Sequence, residues 1–192
     1  MQNSRNAFPP LSTNMTLWTI GHSNRSLDDF LALLAAYQIE LLADVRRFPG
    51  SRKHPHFNQA ELARSLPAAG VAYEPFPELG GRRKPRPDSP NTAWRNESFR
   101  AYADFMETGE FRAGIDRLLK NANERRVAVM CSEAVWWRCH RSLIADYLKV
   151  QGIEVQHILS KSKSELHPYT GAARLIDGRL SYAEADPQAR LF

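Results

Sequence analysis

Val127-Ala128-Val129-Met130-Cys131-Ser132-Glu133-Ala134-Val135-Trp136-Trp137-Arg138-Cys139-His140-Arg141 reads as a buried strand running into a helix. Its apolar opening ends on a cysteine and a glutamate. From about Arg138 to Val150 the periodicity turns helical, with Leu143, Ile144, Tyr147 and Leu148 on one face. A thiol, a carboxylate, an imidazole and guanidinium groups therefore gather around one strand-to-helix connection. In a parallel sheet ligands bind at such places, because carboxyl ends of strands meet amino ends of helices there.

The same pattern recurs on both sides of this stretch. Upstream, Leu17-Trp18-Thr19-Ile20 is a β-type run stopped by Gly21, with His22 and Ser23 beyond it. Ser26 is placed to cap a helix whose first turn holds Asp28 and Asp29, where the helix dipole favours them. Leu41-Leu42-Ala43 forms a second strand ending in Asp44-Val45-Arg46, which completes one β-α-β unit. Residues 47–57 are too rich in proline and basic side chains for regular structure, so they form a loop of functional length. Asn58 caps a helix through Leu66, and Val71-Ala72-Tyr73 starts a third strand. Leu79-Gly80-Gly81-Arg82-Arg83-Lys84-Pro85-Arg86-Pro87 has no periodicity and reads as a long mobile basic loop. Glu97–Met106 and Glu110–Lys120 are two helices separated at Gly109. Downstream, Gly152 stops the 138–150 helix, and Val155–Leu159 is a fifth strand. Asp177-Gly178 between two short runs signals a type I′ hairpin. Strands alternating with helices predict a three-layer α/β fold with a mainly parallel sheet and a small C-terminal hairpin. Residues 1–15 are expected to be a disordered extension, and 16–192 a single domain.

Composition bounds the answer without naming it. Hydrophobic content of 43% and charged content of 24% are ordinary for a soluble globular protein. No apolar run approaches the roughly 20 residues a membrane-spanning helix needs, and residues 1–15 lack a secretory pattern. A cytoplasmic protein without membrane contact is expected. Two cysteines eight positions apart do not make a secreted disulfide framework. The net charge of +5 favours an anionic partner only weakly, since a solvated basic face explains the global charge better.

Three predicted strands end in His22-Ser23, Asp44 with Arg46, and Cys131 with Glu133. In a parallel sheet all three ends share one edge, and their convergence predicts a pocket. Cys131 has two readings, a thiolate nucleophile beside cationic groups or a small core residue. Its spacing to Arg138 is one residue longer than a cysteine-phosphatase loop, which disfavours that chemistry. Cys139 falls on the apolar helix stripe and is expected to be buried. Cys131, Glu133, Cys139 and His140 are possible zinc ligands. However, Cys139 and His140 adjacent in one helix would diverge by roughly 100°, so no metal is expected. Arg138 and Arg141 share a face near a helix start, where positive charge opposes the dipole. A bound anion or an ion pair with Asp44 or Glu133 would justify them. Trp136 and Trp137 are core or interface residues, or a rim platform for a base.

Thr19-Ile20-Gly21-His22-Ser23, Asp44-Val45-Arg46 with Pro49 and Ser51, Leu79-Gly80-Gly81, and Cys-x-Glu-x5-Cys-His-Arg at 131–141 together resemble the DUF488 family. The resemblance spans about residues 17–160 and implies a bacterial or archaeal α/β domain whose shared polar residues line one pocket. It supplies no reaction. The chain departs from the family pattern at Trp136-Trp137. The leading expectation is an enzyme acting on an anionic substrate, a nucleotide or a nucleic-acid-derived molecule. Cys131, Glu133, Asp44 and His22 form its catalytic set, and Arg46, Ser51, Ser23, His140 and Arg141 hold the anion. No cofactor is expected. Two alternatives stay open: a non-catalytic nucleic-acid or nucleotide-binding module, and a purely structural polar network. The oligomeric state is not legible.

Overall fold

The computed structural model describes residues 15–184, so the extension expected over residues 1–15 lies outside the described residues but for Met15. Strands β1 (Thr16–Gly21), β2 (Leu41–Asp44), β3 (Ala72–Pro75), β4 (Val127–Cys131), β5 (Glu154–Ser160) and β6 (Lys163–Leu166) form one sheet, in the order β3-β2-β4-β1-β5-β6. The first five are parallel, and β6 returns antiparallel beside β5. β4 is buried along its whole length, as expected of a strand covered on both faces.

Side chains alternate between the two faces of the sheet and so feed two separate cores. Helices α1 (Leu27–Ala36) and α2 (Gln59–Ala68) bring Phe30, Leu34, Leu62 and Leu66 against Ile20, Leu42, Ala128 and Met130. On the other face, α3 (Glu97–Met106), α4 (Gly109–Glu124) and α5 (Arg141–Val150) bring Phe111, Leu118, Leu143 and Leu148 against Leu41, Ala43, Val127 and Val129. Each of the leucine, isoleucine, valine, phenylalanine and methionine side chains among these, fully buried, contributes roughly 1.5–3 kcal/mol. A small hairpin, β7 (Arg174–Ile176) and β8 (Arg179–Ser181), forms a second sheet, with Leu180 packed against the core. Its turn residues Asp177 and Gly178 have φ of 49° and 73°, the left-handed pair that a type I′ turn requires. The three-layer α/β expectation holds.

Ser26 caps α1 through the Asp29 N–H at 3.1 Å. Asn58 precedes α2 but makes no side-chain cap; its Oδ1 accepts the Ser51 N–H at 2.6 Å and closes the loop before the helix. α5 begins at Arg141 rather than Arg138, because Trp136–Arg138 form a 3-10 turn and Cys139 is extended at φ −135°, ψ 149°. The stretch after Gly81 has no regular structure, but it is tied down and not free. Arg83 lies 3.5 Å over the Phe105 ring and pairs with Glu110, while Arg86 pairs with Glu107. Among the described residues no helix is long and apolar enough to cross a membrane.

Two of these connections position a site. The chain leaves β1 toward the α1 face and leaves β4 toward the α5 face. Adjacent strands whose helices depart to opposite faces leave a crevice between their carboxyl ends.

Candidate functional site

In the register of the sheet Gly21 lies beside Cys131, and Asp44 beside Met130. Pairing continues past the strands, with the His22 N–H donating to the Cys131 carbonyl at 3.0 Å and the Ser23 N–H to the Ser132 carbonyl at 2.9 Å. The chain leaving β4 then swings across β1. A Cβ on Gly21 would lie 1.8 Å from the Glu133 carbonyl oxygen, so only glycine fits beneath this crossing. Above the strand ends opens a cavity of about 730 Å³, lined by His22, Ser23, Arg46, Ser51, Cys131, Glu133 and His140. Cavities of this size hold small-molecule ligands. Asp44 and Arg141, also expected to face a ligand, do not line it.

Asp44 is 1% exposed and sits behind Arg46. Its carboxylate accepts Arg46 Nε at 2.8 Å, Arg46 Nη2 at 2.6 Å and the Tyr73 hydroxyl at 2.7 Å. Burial, with the Asp44 charge, raises the Tyr73 pKa, so that hydroxyl keeps its proton. Arg46 Nη2 also donates to the Phe57 carbonyl at 2.8 Å, and Nη1 donates to His22 Nε2 at 3.3 Å. His22 can accept there because its Nδ1–H donates to the Ser23 carbonyl at 2.8 Å, which assigns the tautomer. Burial, reinforced by the Arg46 charge, lowers the His22 pKa to about 4, so the ring is neutral at pH 7. It stacks on Phe57 with ring centroids 4.2 Å apart. These three residues form a closed brace. Asp44 was expected to face substrate as a general acid or base; its carboxylate is instead turned to Arg46 and the Tyr73 hydroxyl, away from the cavity.

The cavity floor is different. His140 Nε2–H donates to the Val45 carbonyl at 3.2 Å, which turns the Nδ1 lone pair toward Cys139 Sγ at 3.6 Å and Cys131 Sγ at 3.9 Å. Gly81 passes close by; a Cβ there would lie 2.9 Å from Nδ1. The two sulfurs and Nδ1 lie within 4.8 Å of one another. This corrects the objection to a metal site, which assumed that Cys139 and His140 both sit inside a helix. Because Cys139 is extended and His140 is the N-cap, their side chains converge. The thiols also reverse the expected order of acidity. The hydrogen bond to Cys139, and then burial, push Cys131 up to about 12. Burial opposes ionisation of Cys139 too, but the bond from Cys131 together with the Arg141 charge and backbone N–H brings it down to about 6. Cys139 sits at the amino end of α5, where a thiolate is favoured. Glu133 is exposed at the cavity wall.

Arg141 is 2% exposed and lies behind the floor. Its Nη2 donates to the Glu133 carbonyl at 2.6 Å and so holds the crossing loop, while Nε has no partner among the described residues. That inward turn removes it from the expected anion contact. Its Nη1 donates to Thr19 Oγ1 at 3.4 Å and starts a sealed chain of hydrogen bonds. The Thr19 hydroxyl donates to His157 Nδ1 at 2.7 Å, His157 Nε2–H to His167 Nδ1 at 2.9 Å, and His167 Nε2–H to Asp146 Oδ1 at 3.0 Å. Asp146 also accepts the Thr170 and Tyr182 hydroxyls at 2.6 Å and 2.9 Å. Burial drives the His157 pKa down to about 2, so its ring is neutral. Trp136 covers this chain, stacked on His157 with an interplanar angle of 8°.

Sequence reasoning singled out Arg138 and the basic loops that carry Arg47 and Arg82, but did not place the three together at the mouth of the cavity. Arg47, Arg82 and Arg138 line it, are exposed, and form no ion pair among the described residues. Phe48, also lining it, is 65% exposed, with the Arg47 and Arg82 guanidinium groups each 5.9 Å from its ring. Their adjacency to Arg46 and to Gly80-Gly81 was the available signal. Neither Trp136 nor Trp137 lines the cavity.

Neither the curated proteins nor the solved structures gave a match. A family model described as a domain of unknown function, DUF488, matches residues 26–148. That stretch begins at the cap of α1, ends near the close of α5, and carries Asp44, Arg46, Ser51, Cys131, Glu133, His140 and Arg141. Covering well over half of the sequence, the match shows that the chain belongs to the DUF488 family.

Proposed function

We propose that the crevice is the active site of an enzyme acting on an anionic substrate, a nucleotide or a nucleic-acid-derived molecule. One observation carries the reading: arginines without an ion pair among the described residues ring the mouth of a cavity whose floor holds two thiols and an imidazole. Arg46 is neutralised by Asp44, so the anion falls to Arg47, Arg82 and Arg138, with Ser23 and Ser51 as hydrogen-bonding neighbours. Guanidinium groups suit phosphate because they bind it through two parallel N–H donors. Phe48 offers an exposed aromatic face between two of these arginines, on which a base would stack. Glu133 serves as general acid or base, and the thiol–imidazole floor as the reactive centre. Free cysteines fit a reducing compartment such as the cytoplasm.

The non-catalytic nucleic-acid module draws less support, because Arg83 and Arg86 spend their charge on Glu110 and Glu107. A purely structural reading fits Asp44 and Arg141 but leaves the rim arginines without a purpose. Thermal unfolding tests the proposal. Phosphate, and more strongly a nucleoside monophosphate, should raise Tm with concentration. The increment should vanish in a variant carrying Arg47→Ala, Arg82→Ala and Arg138→Ala, and persist in Arg86→Ala. If neither ligand raises the wild-type Tm, the proposal is wrong.

A further inference from the structure

We propose that Cys131, Cys139 and His140 form a three-ligand site for a divalent metal ion of the zinc type, with its fourth position open on the crevice. This shares the crevice with the anion reading but does not rest on it. A tetrahedral zinc ion, with Zn–S near 2.3 Å and Zn–N near 2.0–2.1 Å, needs ligand edges of about 3.6 Å between sulfur and nitrogen and about 3.8 Å between sulfurs. The sulfur-to-Nδ1 distances are 3.6 Å and 3.9 Å, and all three atoms lie within 4.8 Å of one another. Little movement is needed to close them on one ion.

The surroundings are those of a ligand set. His140 donates its other ring N–H to the Val45 carbonyl, which fixes the tautomer that presents Nδ1 and holds the ring plane. Two thiolates and a neutral imidazole make the loaded site electrically neutral. That suits a floor where Cys131 and Cys139 are 6% and 4% exposed. Starting from two thiols, binding releases two protons to solvent and changes no oxidation state. Sulfur and imidazole donors select zinc-like ions over magnesium or calcium. All three ligands line the cavity, so the fourth position is open to water or a substrate oxygen, as in catalytic and not structural zinc sites.

The test uses the full chain, stripped of metal and kept reduced by an agent that does not bind metal, titrated with cobalt(II) alone. The expected result is one ion per chain, with a sulfur-to-cobalt charge-transfer band and the intense visible bands of tetrahedral cobalt, both bleached by zinc. Cys131→Ser and Cys139→Ser should each weaken binding more than tenfold, and the double variant should show no charge-transfer band. Should those variants fail to fold, the wild type still decides: saturating zinc should slow iodoacetamide alkylation of both thiols together. Weak octahedral cobalt bands without charge transfer, or alkylation unaffected by zinc, would overturn the proposal. Arg47→Ala with Arg138→Ala should leave the cobalt spectrum unchanged, so the anion reading and the metal site can fail independently.

Discussion

Two histidine-containing clusters meet at Arg141, one through Cys139 and the other through Thr19. The cluster of Thr19, His157, His167 and Asp146 has the look of a proton relay, with a carboxylate at one end of a chain of imidazoles. Every donor in it from Thr19 to Asp146 has an acceptor at ordinary hydrogen-bond distance, and none of these residues lines the large cavity. On the crevice floor, His140 Nδ1 meets only sulfur, at distances weak for hydrogen bonding, and opens on that cavity. The same side-chain types thus serve opposite ends. Saturated and covered, they hold the fold together; unsaturated and reachable, they are available to a ligand.

The sharpest way to break this contrast is Asp146→Ala. It removes the acceptor for His167, Thr170 and Tyr182 at a fully buried position, and the expected loss is about 3–5 kcal/mol in denaturant unfolding. A loss below about 1 kcal/mol would mean that the sealed chain contributes little to stability.

The second prediction concerns pH. His22 and His157 have folded pKa values of about 4 and about 2, both below the ordinary 6.5 of the unfolded chain. Their stabilisation is complete above pH 6.5 and is lost as pH falls toward the folded values, because the unfolded state takes up protons that the folded state refuses. Near pH 5 these two rings should make unfolding bind about two protons. Urea midpoints measured between pH 7 and pH 4 would fall steadily; a flat profile would mean that both rings are protonated without penalty.

The smallest effect belongs to Trp137→Ala. Its side chain is 54% exposed and does not line the cavity, so stability should change by less than about 0.5 kcal/mol and anion stabilisation not at all. A larger change in the thermal shift series would bring Trp137 into the mouth of the site.

The sheet was readable where apolar runs carried it. β1, β2, β4 and β5 are marked by Leu17–Ile20, Leu41–Ala43, Val127–Met130 and Val155–Leu159 because strands buried on both faces admit few polar residues. Lys163-Ser164-Glu165-Leu166 carries no such signal. As the edge strand β6 it needs only one paired side, and its charged residues discourage a further partner. For the site, convergence of strand ends was readable, but the direction of each side chain was not. Arg46 and Arg141 differ from Arg47 and Arg138 only in which way the backbone aims them. Cys139 was assigned to a helix, and that single misplaced boundary hid its convergence with His140.

The placement of β1 at the centre of the sheet has a consequence for synthesis. Its parallel neighbours are β4 and β5, and Thr19 meets His157 across 138 positions of chain. At ordinary elongation rates the first strand leaves the ribosome on the order of ten seconds before its last neighbour exists. Until β4 emerges, Leu17 and Ile20, destined for two different cores, have no partner strand on either side, and until β5 follows they have only one. The nascent chain must therefore wait, with these apolar residues exposed, for the segment that lets it close, and parallel topology of this kind folds slowly and stays open to aggregation meanwhile.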